Sequence, residues 1–410
     1  MFLKAGNTKK CAETEFFMPN FFVYADNAAT TPLSKVAFSA MQPFLTENYG
    51  NASSIYSVGR ESRHAIDRSR ELVAKAIGAD PAEIFFTSGG SESDNWAITG
   101  TAFSKMKKGK HIISSKIEHH AIEHTLEYLK KTFGFEITYL DVDGFGLVDP
   151  KALRRAMTDE TVLVTMMFAN NEIGTIEPIK ELCAVAKERN VLFHTDAVQA
   201  VGHVPIDVKD LDIDMLSMSA HKFNGPKGVG ALYIKRGVNI DPYMHGGAQE
   251  FGKRASTENV AGIVGMGVAI DMAVSSLENN SRKIKMLRDH LIDGLKTIPY
   301  SRLNGHPELR LDNNVNMSFE FIEGESLLLM LDAAGICAST GSACTSGSLD
   351  PSHVLLAIGL RHEVAHGSLR LSVSESNTID EMDYVIEKVK QAVSSLREMS
   401  PLYEGMQSKG

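Results

Sequence analysis

Lys222 closes the run Ser217-Met218-Ser219-Ala220-His221-Lys222, which leaves a very apolar stretch and enters the turn-rich Phe223-Asn224-Gly225-Pro226-Lys227-Gly228. Most lysines are solvated. An amine at the end of an apolar strand, beside a glycine-rich turn, is instead a candidate for the desolvated nucleophile that forms a Schiff base. Phe193-His194-Thr195-Asp196 ends a second apolar run, with Gln199 in the next turn. An aspartate there either caps a helix or holds a cationic nitrogen on a ligand. Ser88-Gly89-Gly90-Ser91-Glu92-Ser93 follows Ile84-Phe85-Phe86 and opens a helix. Glycines admit a ligand close to the backbone, and free N–H groups with hydroxyls suit a phosphate. The run matches neither GxGxxG nor the P-loop, and a capped helix without a ligand fits it equally well.

Taken jointly, these are the parts pyridoxal phosphate requires: a lysine for its aldehyde, a carboxylate for its ring nitrogen, and hydroxyls at a helix N-terminus for its phosphate. His119, in Ile117-Glu118-His119-His120-Ala121, is of the right type to stack on such a ring and move protons near neutral pH. Arg370 alternates with Leu369, Leu371 and Val373, so it points away from the apolar face, either to water or toward a substrate carboxylate. The stretch from Cys337 to Ser348 is rich in glycine and serine and carries Cys344 in its middle. A thiol on an exposed loop invites oxidation unless it is used, so Cys344 reads as functional. Cys183 and Cys337 read as buried and inert, and Cys11 as incidental.

The elements that must position these residues alternate. A helical pattern over 60–78 ends at Gly78. Apolar strands are expected at 84–86, 111–114, 136–140, 162–168, 191–194, 215–218 and 230–234, most separated by amphipathic stretches such as 179–189. That rhythm implies crossover connections and a largely parallel sheet covered on both faces. Beyond about residue 275, helices at 282–296 and 379–397 frame shorter strands at 315–319 and 369–373, as in a smaller α+β domain. Glu278-Asn279-Asn280-Ser281 is a linker candidate. The division expected is a large domain over 24–275 and a small one made of 1–23 with 276–410.

The 410 residues carry 42 Lys and Arg against 51 Asp and Glu, a net charge of -9. This balance argues against a nucleic-acid binder, which needs a phosphate-neutralising surface. With 43% hydrophobic and 23% charged residues the chain is neither disordered nor fibrous. Four cysteines without CxxC spacing suggest neither a disulfide framework nor a metal site. No apolar run approaches the roughly 18 residues of a membrane span. The N-terminal stretch lacks an apolar signal region, so a cytoplasmic location is expected.

The sequence resembles the cysteine desulfurases of the NifS/IscS kind, within the class V aminotransferase-like, fold type I pyridoxal-phosphate enzymes. The likeness runs from Tyr24-Ala25-Asp26-Asn27-Ala28-Ala29-Thr30-Thr31-Pro32 to Ser400-Pro401-Leu402-Tyr403. Its most specific parts are SAHKFNGPKG at 219–228, HTDAVQAVGH at 194–203, ANNEIGT at 169–175 and GSACTSGSLDPSHVL at 341–355. The resemblance implies an α/β fold with a mostly parallel seven-stranded sheet plus the smaller α+β domain. It gives Lys222 the covalent link to the cofactor, Asp196 the pyridine nitrogen, Gln199 the ring hydroxyl and His119 the stacking place. Gly90, Ser91, Ser219 and His221 would hold the phosphate, with Thr257 reaching in from the other subunit of a homodimer. Asn170 and Arg370 would orient the substrate carboxylate, and Cys344 would be the nucleophile.

The activity implied converts L-cysteine to L-alanine. Lys222 removes the Cα proton, the Cys344 thiolate attacks the substrate sulfur, and the resulting persulfide passes to an acceptor, an iron–sulfur scaffold or a thiolation protein. The terminal SPLYE resembles the part that meets a scaffold. Three departures stand out: Phe251 where the family has Arg, Ser256 where it has Gly, and 371–377, where relatives often have a second Arg and a Phe. The competing readings are a selenocysteine lyase or aminotransferase on the same scaffold, and a non-catalytic adaptor that keeps the fold.

Overall fold

The computed structural model describes residues 21–340 and 351–407. Cys11 and Cys344 lie outside them, as do 341–350. Seven strands form the principal sheet: β2 (Ile84–Thr87), β3 (His111–Ser115), β4 (Glu136–Leu140), β5 (Thr161–Thr165), β6 (Leu192–Asp196), β7 (Met215–Ser219) and β8 (Gly230–Ile234). A short β1 (Val23–Tyr24) precedes them, and β9 (Ser301–Leu303), β10 (Asn314–Phe319), β11 (Ile336–Cys337) and β12 (Ser368–Ser372) follow. The order in the principal sheet is β2-β8-β7-β6-β5-β3-β4, parallel except that β8 runs antiparallel to both neighbours. Every residue of β2, β3, β5, β7 and β8 is buried, which is why these strands are rich in apolar residues on both faces, with Ser, Thr and His as their polar positions. The edge strand β4 is the exception, with only Leu140 buried.

Helices cover both faces. Ser57–Ala76 buries Ile66, Val73 and Ala74 and packs on Val260–Ser275, a helix apolar around most of its circumference. The two approach closely because Gly267 has no side chain: a Cβ there would lie 2.9 Å from the backbone of Ser69. On the other face Gly90–Lys105 and His120–Phe133 enclose Trp96, Ile98, Ile122 and Leu126.

The later part of the chain has its own sheet and core. Its antiparallel order is β12-β10-β9. Leu287 and Leu291 of helix Leu277–Lys296, and Val385 and Val389 of helix Ile379–Glu398, close on Val315, Met317, Leu369 and Leu371. The chain enters this part through a 72° bend between Val260–Ser275 and Leu277–Lys296. The polar cluster 278–281 is therefore no linker; it lies in the opening turns of the second helix, where Glu278 pairs with Arg282 at 2.6 Å. Val23 and Ala25 pack in this second core, and β1 pairs in parallel with β11. No single described helix is long and apolar enough to cross a membrane.

Candidate active site

The carboxyl ends of β6 and β7 and the N-termini of Gly90–Lys105 and His120–Phe133 open into one cavity of about 340 Å³. It is lined by Gly90, Ser91, His119, Asp196, Gln199, Ser219, His221, Lys222 and Arg370. Nine of the twelve residues singled out from sequence thus meet in one place. Lys222 Nζ donates to the carbonyls of Ala28 at 2.7 Å and Ala29 at 2.9 Å, and Gln199 Nε2 donates to the Ala28 carbonyl at 2.9 Å. The Ala28-Ala29 strip, brought in from the N-terminal segment, is itself fixed by Ala28 N–H donating to Ser372 Oγ at 2.8 Å. On its other side the Lys222 carbonyl accepts from His203 Nε2 at 2.9 Å.

Four more of the lining side chains are also held. His119 caps helix His120–Phe133, its Nδ1 accepting from Ala121 N–H at 3.1 Å, which leaves the proton of the neutral ring on Nε2. Asp196 accepts from Val198 N–H at 2.9 Å. His221 Nδ1 lies 3.1 Å from Thr30 Oγ1. Arg370 donates to Asp26 Oδ1 at 3.0 Å and to the Asn171 carbonyl at 3.1 Å, while its buried Nε has no hydrogen-bond partner among the described residues. Ser339, the last residue but one before the undescribed segment, pairs with Arg370 through both backbone groups and donates from Oγ to Asp26 Oδ2 at 2.8 Å.

Burial governs the electrostatics. It pushes the Asp196 carboxyl up and the His119 imidazole down, each toward its neutral form. It lowers His221 to about 4, with Lys222 and Lys227 adding to the effect. Asp94, one turn beyond Gly90 and facing the same cavity, is raised well above the ordinary carboxyl value, by burial first and by Asp196 second. Its Oδ1 lies 3.8 Å from His194 Nε2, and burial drives His194 down to about 3. A buried acid facing a cavity without a cationic neighbour of its own suits a ligand that brings a cationic nitrogen.

Three expected residues are placed differently. Asn170 does not face the cavity: its Nδ2 donates to the Ile117 carbonyl at 2.8 Å, and its Oδ1 accepts from Glu172 and Ile173 N–H at 2.9 Å each. Those bonds lock the turn that turns its neighbour Asn171 toward the cavity, so the asparagine position is corrected by one residue. Thr257 lies outside the cavity, exposed in a separate hollow with Ser88, Gly228 and Arg254. Cys344 falls outside the described residues. The three departures have structural correlates. Phe251 and Ser256 take positive φ of 56° and 102°, and Glu250, which opens the short 3₁₀ turn Glu250–Gly252, takes 44°. The Arg70–Glu250 buried ion pair at 2.7 Å holds this strained turn, with the Arg70 guanidinium 5.1 Å over the Phe251 ring. In the segment after Arg370, Ser372 anchors Ala28, and Asn377 donates to the Tyr24 carbonyl at 3.3 Å.

Sequence reasoning missed Asp94, Asn171 and the backbone of Ala28-Ala29. Asp94 carried a readable signal, standing four residues after Gly90 on the same helix face.

Residues 23–385 match the aminotransferase class-V family. The chain belongs to that family. Among class-V relatives, a cysteine desulfurase IscS of Methanosarcina thermophila is 60% identical over 383 residues, covering 93% of this chain and 95% of the relative. A cysteine desulfurase IscS of Clostridium botulinum is 59% identical over 385 residues, covering 93% and 97%. A solved NifS-like protein superposes with a TM-score of 0.87 at 39% identity, covering 92% of this chain and all of the other. The class-V chain therefore has the fold type I architecture, and the family's cofactor is pyridoxal phosphate. The site passes a physical test for that group. A Cβ on Gly90 would stand 2.6 Å from Val198 Cγ2, so the helix N-terminus packs closely on the segment after Asp196 because this residue has none, and its free N–H groups lie beside Ser91, Ser219 and His221 on the cavity wall, as a phosphate requires. An amine, a buried acid and an arginine line the same space.

Proposed function

We propose that this chain is a pyridoxal-phosphate-dependent cysteine desulfurase, converting L-cysteine to L-alanine and passing the sulfur through Cys344 to an acceptor protein. The observation that carries the reading is the convergence of Lys222, Asp196, His119 and Arg370 on one cavity, in a chain 60% identical to a cysteine desulfurase. Lys222 would hold the cofactor's aldehyde, Asp196 its ring nitrogen, and Gln199 its ring oxygen. Gly90, Ser91, Ser219 and His221 would cradle the phosphate. When bound, the cofactor supplies an electron sink that makes the substrate Cα–H acidic.

The chain's own residues do the rest. Arg370, its guanidinium held on the cavity wall by Asp26 and the Asn171 carbonyl, would pair with the substrate carboxylate, and Asn171 stands beside it. That grip sets which Cα bond faces Lys222. The Lys222 amine takes the Cα proton and returns a proton as alanine forms. His119, held neutral by burial and bearing its proton on Nε2, is suited to donate toward the substrate side of the cavity. The Cys344 thiolate would attack the substrate sulfur as the substrate Cβ–S bond breaks; the electron pair of that bond stays with the carbon fragment, which is protonated to alanine, and the sulfur remains on Cys344 as a persulfide. Its parent segment is anchored at one end by the Ser339–Arg370 pairing and at the other by Ser352, which donates to Glu172.

Thr257 is exposed and away from its own cavity, which supports a homodimer in which it completes the neighbour's phosphate site. The two cores and the bend at 275–277 support two domains, with Val23 and Ala25 belonging to the smaller. The acceptor we propose is an iron–sulfur scaffold, in a cytoplasmic setting that keeps thiols reduced. Supplying cysteine with and without a 2-oxo acid tests the reaction. Alanine equal to the sulfur released, independent of the 2-oxo acid, supports desulfuration, and a transamination product that requires it would overturn the reading.

A further inference from the structure

Outside the cavity, the described residues contain one cluster with the composition of a metal centre. His120 and Glu123, one turn apart at the start of His120–Phe133, and His353, which opens the short helix His353–Ala357, bring their ligand atoms within 4.8 Å of one another. His120 Nδ1 already lies 3.1 Å from Glu123 Oε2. The His120 and His353 rings have centroids 4.9 Å apart, and His124, a further turn along, stacks on His120 at 5.2 Å.

From this cluster we propose a binding site for a first-row divalent cation, best filled by Zn²⁺, on His120, Glu123 and His353. Two imidazoles and one carboxylate are an established zinc donor set, with the remaining position left for water or for His124. Ligand atoms of a tetrahedral zinc with bonds of about 2.1 Å stand about 3.4 Å apart, so side-chain rotation of about 1 Å closes the site. The orienting bond is already present: His353 Nε2 lies 3.0 Å from the Glu118 carbonyl, and donating its proton there leaves the Nδ1 lone pair for a metal. In His120 the cation takes the place of the proton shared with Glu123. All three side chains are half-buried, so a cation can enter without unfolding either helix. Bound there, it ties the helix capped by His119 to the residues that follow the Cys344 segment. It is separate from the chemistry proposed for Lys222, and its absence would leave that chemistry standing.

The test uses full-length, cofactor-loaded protein stripped with a chelator and titrated with Zn²⁺ against a chromophoric competitor, then with Co²⁺ as a spectroscopic probe. The expected result is one Zn²⁺ per chain, weakened at least about tenfold by His353→Ala and by Glu123→Gln. Co²⁺ should give visible ligand-field bands without a sulfur charge-transfer band. Glu123 is surface-accessible, so Glu123→Gln keeps the test valid if His353→Ala folds poorly. Zinc affinity unchanged in both variants, no zinc taken from the competitor, or a sulfur-to-cobalt band would each overturn the site.

Discussion

Lys222 and Gln199 share a single acceptor, the Ala28 carbonyl, at 2.7 and 2.9 Å. The two side chains come from different strand ends, and the carbonyl lies 171 residues before Gln199 and 194 before Lys222 in the chain. The lysine amine is therefore tied to the N-terminal segment, which places its tip at the cavity wall beside Gln199. Lys222→Ala is expected to abolish this arrangement and to lower kcat for alanine release by about a thousandfold, the scale of a lost general base. Borohydride treatment followed by peptide mapping should fix the cofactor on the wild-type peptide containing Lys222 and on no peptide of the variant.

Arg370 is expected to act on substrate binding. Arg370→Lys keeps the charge but loses the planar fork that reaches Asp26, the Asn171 carbonyl and the cavity together. KM for cysteine should rise by about tenfold to a hundredfold, the worth of one or two hydrogen bonds to a charged group. Steady-state kinetics would contradict this if KM stayed constant while kcat alone fell.

Gly90→Ala tests the cradle. The added methyl would meet Val198 Cγ2 at 2.6 Å, and Val198 N–H is the donor to Asp196. Overpacking of this kind costs about 1–3 kcal/mol, so the variant should fold yet lose cofactor on dialysis, read as loss of visible absorbance with far-ultraviolet circular dichroism unchanged.

Much of this was legible in the sequence. Most of the seven strands were readable because strands buried on both faces are rich in apolar residues, and Lys222, Asp196 and the Ser88–Ser93 turn declared themselves at strand ends. Other features needed the third dimension. The polar run 278–281 looks like a linker because an exposed helix face and a linker share one composition. Asn170 and Asn171 are adjacent and chemically identical, and only the turn hydrogen bonds show which one faces inward. Asp94 stands on the same helix face as Gly90, yet among Ser91, Glu92 and Asn95 its composition looks like that of an exposed turn. The Ala28 carbonyl has no side-chain signature at all.

The pH dependence of stability should carry the mark of Glu118. Burial raises this carboxyl to about 8, while Ser115 Oγ and Met167 N–H hold its Oε1 and Oε2 has no hydrogen-bond partner among the described residues. The folded chain keeps a proton that the unfolded chain gives up near 4.5, so the contribution of Glu118 is full below about 4.5 and is lost as pH rises through about 8. Glu118→Gln retains the accepting oxygen and cannot ionise. Its melting temperature relative to wild type should rise steadily between pH 5 and pH 8.5, in thermal melts at constant salt; a difference independent of pH would contradict the assignment.

The central claim is that sulfur leaves cysteine onto Cys344 rather than into solution. Incubating the cofactor-loaded protein with sulfur-labelled L-cysteine in the absence of any acceptor, then measuring the mass of the Cys344 peptide beside the alanine formed, tests it directly. One added labelled sulfur atom on that peptide, matched by one alanine and absent from Cys344→Ser, is the predicted result. Alanine released at the same rate by Cys344→Ser, with free sulfide and an unmodified Cys344 peptide in the wild type, would contradict it.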